Sequence, residues 1–291
     1  MKRIVEYICF GLIGGIVILI SIYFLIGALN GMQDVVAVTG KIKVVTPAKD
    51  DVLGLTDMGP VIFRETEMYQ YHKEDIRVSK GGSTYYYQYA EKGFFNSPQG
   101  DFEAYESKSA ARSLFGSTKD FKNPPFPKEF LNERGSGKVV ICGTAEIGED
   151  GIKLGKSLLR YLEGAEFTME DMTVPAYNTP KDAGERFGLK LTEKGVYASE
   201  DSGQPKIGDL RVICKVVPQE NLEGEFTAVG KLSDDNTLEE NDDYGALYKG
   251  VVTLEEANRN YKKDQFKTGI LFLALGLGIY AIGFLVIKVF N

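Results

Sequence analysis

Residues Ile8 to Leu29 read ICFGLIGGIVILISIYFLIGAL, 22 positions without a charge. At 1.5 Å per residue a helix of that length covers about 33 Å, enough for a hydrocarbon core of roughly 30 Å. A second uncharged run, Gly269 to Ile287 (GILFLALGLGIYAIGFLVI), has 19 residues and is close to the shortest length that spans. The first run is too long for the apolar core of a signal peptide. No small-x-small cleavage site follows Leu29, so the run reads as a retained anchor. Nearly all the other residues lie between these two runs. They must return to the bilayer face they left, so the two ends of that middle region lie close together.

Composition places the polar chemistry in the middle. Acidic residues outnumber basic ones by 41 to 34. The end segments hold only Lys2, Arg3, Glu6 and Lys288, so the acid excess belongs to the region between them. A phosphate-backbone binder needs a basic stripe, and a nucleic-acid partner is therefore not expected. The partners expected are the lipid bilayer, a second copy of the chain and other membrane proteins.

Both apolar runs are rich in glycine. Gly11 and Gly15 form one small-xxx-small pair, and Ala274 and Gly278 form another. Small residues at that spacing let helix backbones approach closely in lipid, either within one chain or between neighbours. The inner flanks carry Lys41, Lys43, Arg259, Lys262, Lys263 and Lys267, against Lys2, Arg3 and Lys288 outside. A simple count would keep the middle region in the cytoplasm. The charge rule governs short loops, however, and this connection exceeds 200 residues. Length points to an extracytoplasmic domain, periplasmic, extracellular or lumenal.

The expected organisation is a transmembrane helix over 1–30, an extramembrane α+β domain over 31–252 with a possible division into two lobes, and a juxtamembrane helix over 253–291 that runs into the second span. Strands are expected over Val35–Val38, Lys41–Val45 and Val61–Tyr71. Lys80-Gly81-Gly82 gives a turn signal, with Thr84–Tyr89 as its partner strand. Residues 96–138 carry many Gly, Ser, Asn and Pro and read as an irregular excursion, with a short helix near Ser107–Leu114. Val139–Thr144 reads as a strand. Leu154, Leu158, Leu159 and Leu162 share a helical face. Gly195–Ala198, Asp209–Val217, Glu225–Leu232 and Ala246–Val252 complete the strands. Thr253-Leu254-Glu255-Glu256 has the form of a capping box. The fold class is thus α+β, strand-rich, between two transmembrane helices.

The sequence holds few groups arranged for chemistry. Gly151 to Ser157 resembles a phosphate loop but has Asp150 where the motif needs glycine. His72 is the single histidine, so a two-histidine zinc site cannot form. No Gly-x-Ser-x-Gly elbow accompanies it. Ser233–Asp243 is a dense acidic loop whose spacing does not match a helix–loop–helix calcium site. No catalytic residue, metal ligand or cofactor is expected. The alternative reading, a ligand-sensing or hydrolytic domain, would rest on His72 and the acidic loop. Cys142 and Cys214 fall in expected strands as buried thiols or a disulfide pair. Tyr69, Tyr71, Tyr85, Tyr87 and Tyr89 form a tyrosine-rich hairpin, which serves either packing or a contact surface.

Three short stretches carry a resemblance: Glu67-Met68-Tyr69-Gln70-Tyr71, then Tyr85–Glu91 with Phe95-Asn96-Ser97, and Pro205-Lys206-Ile207-Gly208-Asp209-Leu210-Arg211-Val212. Together with the order of membrane helix, large domain and second helix, they resemble the LUMA (transmembrane protein 43) family. The resemblance implies a membrane-anchored, self-associating scaffold without known catalysis, which organises other membrane proteins and keeps its large domain on the lumenal side. The family has further C-terminal membrane segments where this sequence has one, so the resemblance is to a compact version with two membrane helices. Within the last stretch Gly208 permits a turn, Asp209 and Arg211 are placed to pair along one strand face, and Leu210 and Val212 point to the core.

Overall fold

The computed structural model describes residues 2–56, 59–80, 82–113, 116–163, 174–175, 185–192, 196–199, 204–217, 219–241 and 244–289. Gly81, Leu114, Gly195, Asp242 and Asp243, which enter the expectations above, lie outside these residues. Two long helices bracket the chain: an N-terminal helix, Lys2–Asn30, and a C-terminal helix, Leu254–Val289. Each contains a stretch apolar enough to cross a membrane, Gly11–Asn30 and within Leu254–Gly283. The protein is an integral membrane protein.

The strands are β1 (Val36–Gly40), β2 (Ile42–Thr46), β3 (Val61–Lys80), β4 (Ser83–Phe95), β5 (Phe102–Ala104), β6 (Lys119–Phe121), β7 (Lys138–Cys142) and β8 (Thr144–Ile147). They continue with β9 (Ile152–Leu154), β10 (Val174–Pro175), β11 (Leu189–Leu191), β12 (Val196–Ser199), β13 (Leu210–Val216), β14 (Phe226–Leu232), β15 (Thr237–Glu239) and β16 (Ala246–Lys249). The class is therefore α+β and strand-rich, with an apolar helix at each end. The chain divides into two compact units. One collects 1–41, 147–158 and 224–291, and the other 42–146 and 159–223.

The first unit contains both long helices and a small sheet. β14 is central, with β1 antiparallel on one side and β16 antiparallel on the other. Further along, β14 pairs with β15, and β15 pairs in parallel with β9. Val229, Ala246 and Tyr248 pack with Ala257 of the C-terminal helix, so the sheet and the helix share one core. The helix starts at the capping box read from the sequence. Glu256 N–H donates to Thr253 Oγ1 at 3.2 Å, and Thr253 N–H donates back to Glu256 Oε2 at 3.0 Å. The Thr253 N–H beside it holds the Glu256 carboxyl below its ordinary range. From there the helix runs unbroken for 36 residues.

The second unit is built on β3. β13 lies along one edge in the register Leu210↔Met68 to Val216↔Ile62, and β4 lies along the other from Met68↔Phe95 to Lys80↔Ser83. β7 takes the β4 side at the start of β3, from Val61↔Cys142 to Glu65↔Lys138. β12 and β11 extend the sheet beyond β13. The even positions of β13, Leu210, Val212, Cys214 and Val216, all point inward. They meet Ile62, Met68, Phe126, Phe130, Leu189 and Tyr197 in the main core.

Two expectations are revised here. The strand expected to end at Tyr71 continues to Lys80, because pairing with β4 carries it through the charged stretch Lys73–Asp75. The helix expected over Leu154–Leu162 shrinks to a turn. Leu154 ends β9, Lys156–Leu159 forms one helical turn, and Arg160–Glu163 tightens to 3-10. All four leucines are buried, so their spacing marked burial rather than a helix face. The phosphate-loop look-alike lies here too. Gly155 packs against the Glu239 side chain, whose Cγ lies 2.5 Å from where a Cβ would stand.

Candidate functional site

The two membrane helices pack against each other along a seam of small residues. In the N-terminal helix Gly14 and Ser21, seven positions apart, are buried; in the C-terminal helix Gly269, Gly276 and Gly283 are buried at the same interval. A seven-residue repeat keeps one face turned to a partner helix. Ser21 Oγ donates to the Gly269 carbonyl at 2.8 Å, and Tyr280 OH donates to the Gly11 carbonyl at 3.0 Å. Phe24 stacks on Phe272 with ring centroids 5.6 Å apart. A Cβ on Gly276 would lie 2.8 Å from Ile18 Cγ1 and 3.3 Å from the Gly14 carbonyl oxygen, and one on Gly269 would lie 2.8 Å from Leu25 Cγ. The backbones approach this closely because side chains are missing where they cross.

The spacing-four pairs named from sequence sit differently. Gly15 is near Tyr280 OH, at an ordinary 3.5 Å for a Cβ. Gly11 contributes its carbonyl, while a Cβ there would meet nothing within 4 Å, and the same holds for Gly278. Ala274 is exposed. The seam therefore runs through Gly14, Gly269 and Gly276, and it joins the two spans of one chain. A seven-residue search for small residues would have found it.

The tyrosine hairpin occupies both faces of its sheet. Residues directly opposed across two strands share a face. Tyr85, Tyr87 and Tyr89 oppose Val78, Ile76 and Glu74, whereas Tyr69 and Tyr71 oppose Phe94 and Lys92 on the other face. On the first face a short helix, Lys108–Ser113, covers the strands, and Ile76, Tyr89 and Ala111 form a local core. Tyr87 packs edge-on against Tyr105 at 6.1 Å. On the second face Tyr71 meets Phe121 at 5.0 Å and Tyr69 meets Phe94 at 5.1 Å. Tyr85 and Tyr86, nearest the turn, remain 46 % and 71 % exposed. The five tyrosines thus do not form one patch, and the exposed ring chemistry sits at the turn.

The Gly208–Asp209 turn docks on the edge of β3 just where β13 ends. Gly208 has φ +98°, a backbone setting that favours glycine. Its N–H donates to the Tyr69 carbonyl, and Tyr69 N–H donates to the Asp209 carbonyl, both at 2.8 Å. Asp209 Oδ2 accepts the Lys206 N–H at 2.7 Å. The expected Asp209–Arg211 pair is replaced by a cross-strand one. Arg211 sits opposite Glu67, and its Nε donates to Glu67 Oε2 while the guanidinium lies over the Phe94 ring. Asp209 lies in the turn before β13 with its carboxylate on the Lys206 N–H, whereas Arg211 is on the strand itself, where the opposed residue Glu67 shares its face. One step further along β3, Asn123 takes the place of a strand: its Oδ1 accepts from Tyr71 N–H at 2.8 Å and its Nδ2 donates to the Tyr71 carbonyl at 2.9 Å. The proline-rich excursion holds this edge.

Sequence reasoning missed the buried ion pair of Asp50 and Arg64. Arg64 Nη1 donates to Asp50 Oδ1 at 2.7 Å and Oδ2 at 2.9 Å, and both side chains are almost fully buried. Arg64 Nη2 reaches the Glu129 carbonyl at 3.2 Å, and the Phe130 ring lies under the guanidinium at 5.3 Å. Cys214 is directly opposite Arg64 on β13. Burial, aided by the Asp50 charge, pushes its thiol up to about 12, so at neutral pH it stays protonated. Cys142 and Cys214 are not joined in a disulfide.

His72 is largely buried, packed on Phe95 with ring centroids 4.5 Å apart, and its Nε2 lies 3.1 Å from Glu74 Oε1. The acidic loop closes as a turn in which the Ser233 and Thr237 hydroxyls hold the Asp235 carboxyl below its ordinary range. Among the described residues no group of three His, Cys, Asp or Glu side chains is placed to hold a metal ion.

Neither curated proteins nor solved structures give a match to the chain. A comparison with known families matches residues 136–290, more than half of the sequence and including the Gly208–Arg211 turn, to transmembrane protein 43. The strand-rich domain, the two apolar end helices and this match agree, and the chain belongs to the transmembrane protein 43 family.

Proposed function

We propose that this protein is a non-enzymatic, membrane-anchored scaffold that self-associates and organises other membrane proteins, with its large domain on the extracytoplasmic side. The observation that carries the reading is the β3–β4 hairpin. It continues past the end of β13 for most of its length, and it holds exposed Tyr85 and Tyr86 beside its turn. Exposed tyrosine on a rigid strand pair is favoured contact chemistry, because a large ring is presented at small conformational cost. The family is not known as an enzyme family, which agrees with this reading. The intrachain helix seam anchors the domain and leaves Ala274 and Gly278 on the outer surface of the helix pair.

Mass measurement of full-length protein in lipid nanodiscs, over a range of loading ratios, tests the proposal. A dimer or higher assembly is the expected result. A single copy per disc at every ratio would remove self-association from the function.

A further inference from the structure

We propose that the outer edge of β3 from Lys73 to Ser79 pairs with the same edge of a second copy, antiparallel, in the register that sets Asp75 opposite the partner's Arg77. The proposal rests on the self-association reading and specifies its contact.

The edge is defined by what occupies it lower down. On the side away from β4, β13 pairs with β3 as far as Met68. The Gly208–Asp209 turn then satisfies the backbone of Tyr69, and Asn123 satisfies that of Tyr71. These partners show that odd-numbered residues aim their N–H and C=O groups to this side. Lys73, Asp75, Arg77 and Ser79 are next in that series. Among the described residues no strand pairs with them there. β3 and β4 remain fully paired over the same stretch, so the edge is backbone held in strand form. Such an edge is a template for another strand.

The charges select the occupant and the register. Lys73, Asp75 and Arg77 alternate in sign on one face, and all three are exposed. The open stretch is centred on Ile76. A two-fold axis at that centre opposes Asp75 with the partner's Arg77, Arg77 with the partner's Asp75, and Lys73 with the partner's Ser79. Each opposed pair exchanges both backbone hydrogen bonds. An axis at Asp75 would oppose like charges throughout. An axis one residue below that would run the partner's Arg77 into Asn123. The register with the greatest overlap is therefore also the one with complementary charge.

Side chains across the joined sheet fit the same arrangement. Asp75 is opposite Gln88, which donates to its Oδ1 at 3.1 Å, and Arg77 is opposite Tyr86. In the pair, Tyr86, Arg77, the partner's Asp75 and the partner's Gln88 form one row. Asp75 keeps an oxygen available for the incoming guanidinium. A second copy supplies this pattern of charge twice by symmetry, which an arbitrary peptide strand does not.

The test measures self-association of full-length protein in nanodiscs or mild detergent for the wild type, Arg77→Asp, and the double variant Asp75→Arg with Arg77→Asp. Both sites are exposed, and unchanged circular dichroism will show that the variants fold. Arg77→Asp opposes two pairs of like charge and is expected to weaken association about tenfold or more. The double swap restores opposite charges in the same register and is expected to recover wild-type association. Equal association of all three proteins overturns this contact while leaving self-association standing. Loss in the single variant without recovery in the swap overturns the register. A wild type that is monomeric throughout overturns both readings.

Discussion

Replacing Asp50 with alanine is expected to destabilise the unit built on β3 by about 3–5 kcal/mol, the usual loss when one partner of a buried ion pair is removed. The carboxylate accepts two hydrogen bonds from Arg64 and one from the Val52 N–H at 2.9 Å. Without it, among the described residues, a buried guanidinium retains the Glu129 carbonyl and the Phe130 ring. Arg64 cannot escape by losing its proton. Replacing both residues with apolar side chains, Asp50→Leu with Arg64→Met, is expected to cost much less, because no charge is then stranded. Urea denaturation followed by tyrosine fluorescence suits a chain with 16 tyrosines and no tryptophan. A loss under about 1 kcal/mol for the alanine variant would mean that water reaches the pair.

The second large effect concerns the helix seam. Gly276→Leu is expected to cost about 1–3 kcal/mol through overpacking. Its Cβ alone would press on Ile18 and approach the Gly14 carbonyl, before the rest of the side chain is placed. Leucine is the better helix former, so any loss reports packing between the helices. Gly278→Leu, two residues away in open space, is expected to change stability by less than about 0.5 kcal/mol. Thermal unfolding in one detergent compares the two. Equal effects would place the seam elsewhere on the helix.

Parts of this architecture are legible in the sequence because their cause is local. Uncharged length declares the spans, and the Thr253–Glu256 pair declares the start of the second long helix. The alternation of Leu210, Val212, Cys214 and Val216 declares a strand with one buried face. Other parts depend on what the chain meets in space. Glycines four apart were the visible motif, but an antiparallel partner helix selects the seven-residue series of Gly14 with Ser21, and of Gly269 with Gly276 and Gly283. Leu154, Leu158, Leu159 and Leu162 have helical spacing, yet a strand end followed by one turn buries them equally well. Sequence proximity suggests Asp209 as the partner of Arg211, whereas the residue it meets, Glu67, is 144 positions away. Asp50 and Arg64 could not be found by pattern at all. Nothing in either neighbourhood marks a charge as buried.

The most direct test of the anchored helix pair is a cysteine crosslink in lipid. Phe24→Cys and Phe272→Cys, in a chain whose native cysteines are replaced by alanine, place thiols where the two rings now stack. A short bismaleimide is expected to join them within one chain, giving a faster-migrating monomer on a denaturing gel. Crosslinks formed only between chains, or none at all, would contradict an intrachain helix pair as the anchor of the strand-rich domain.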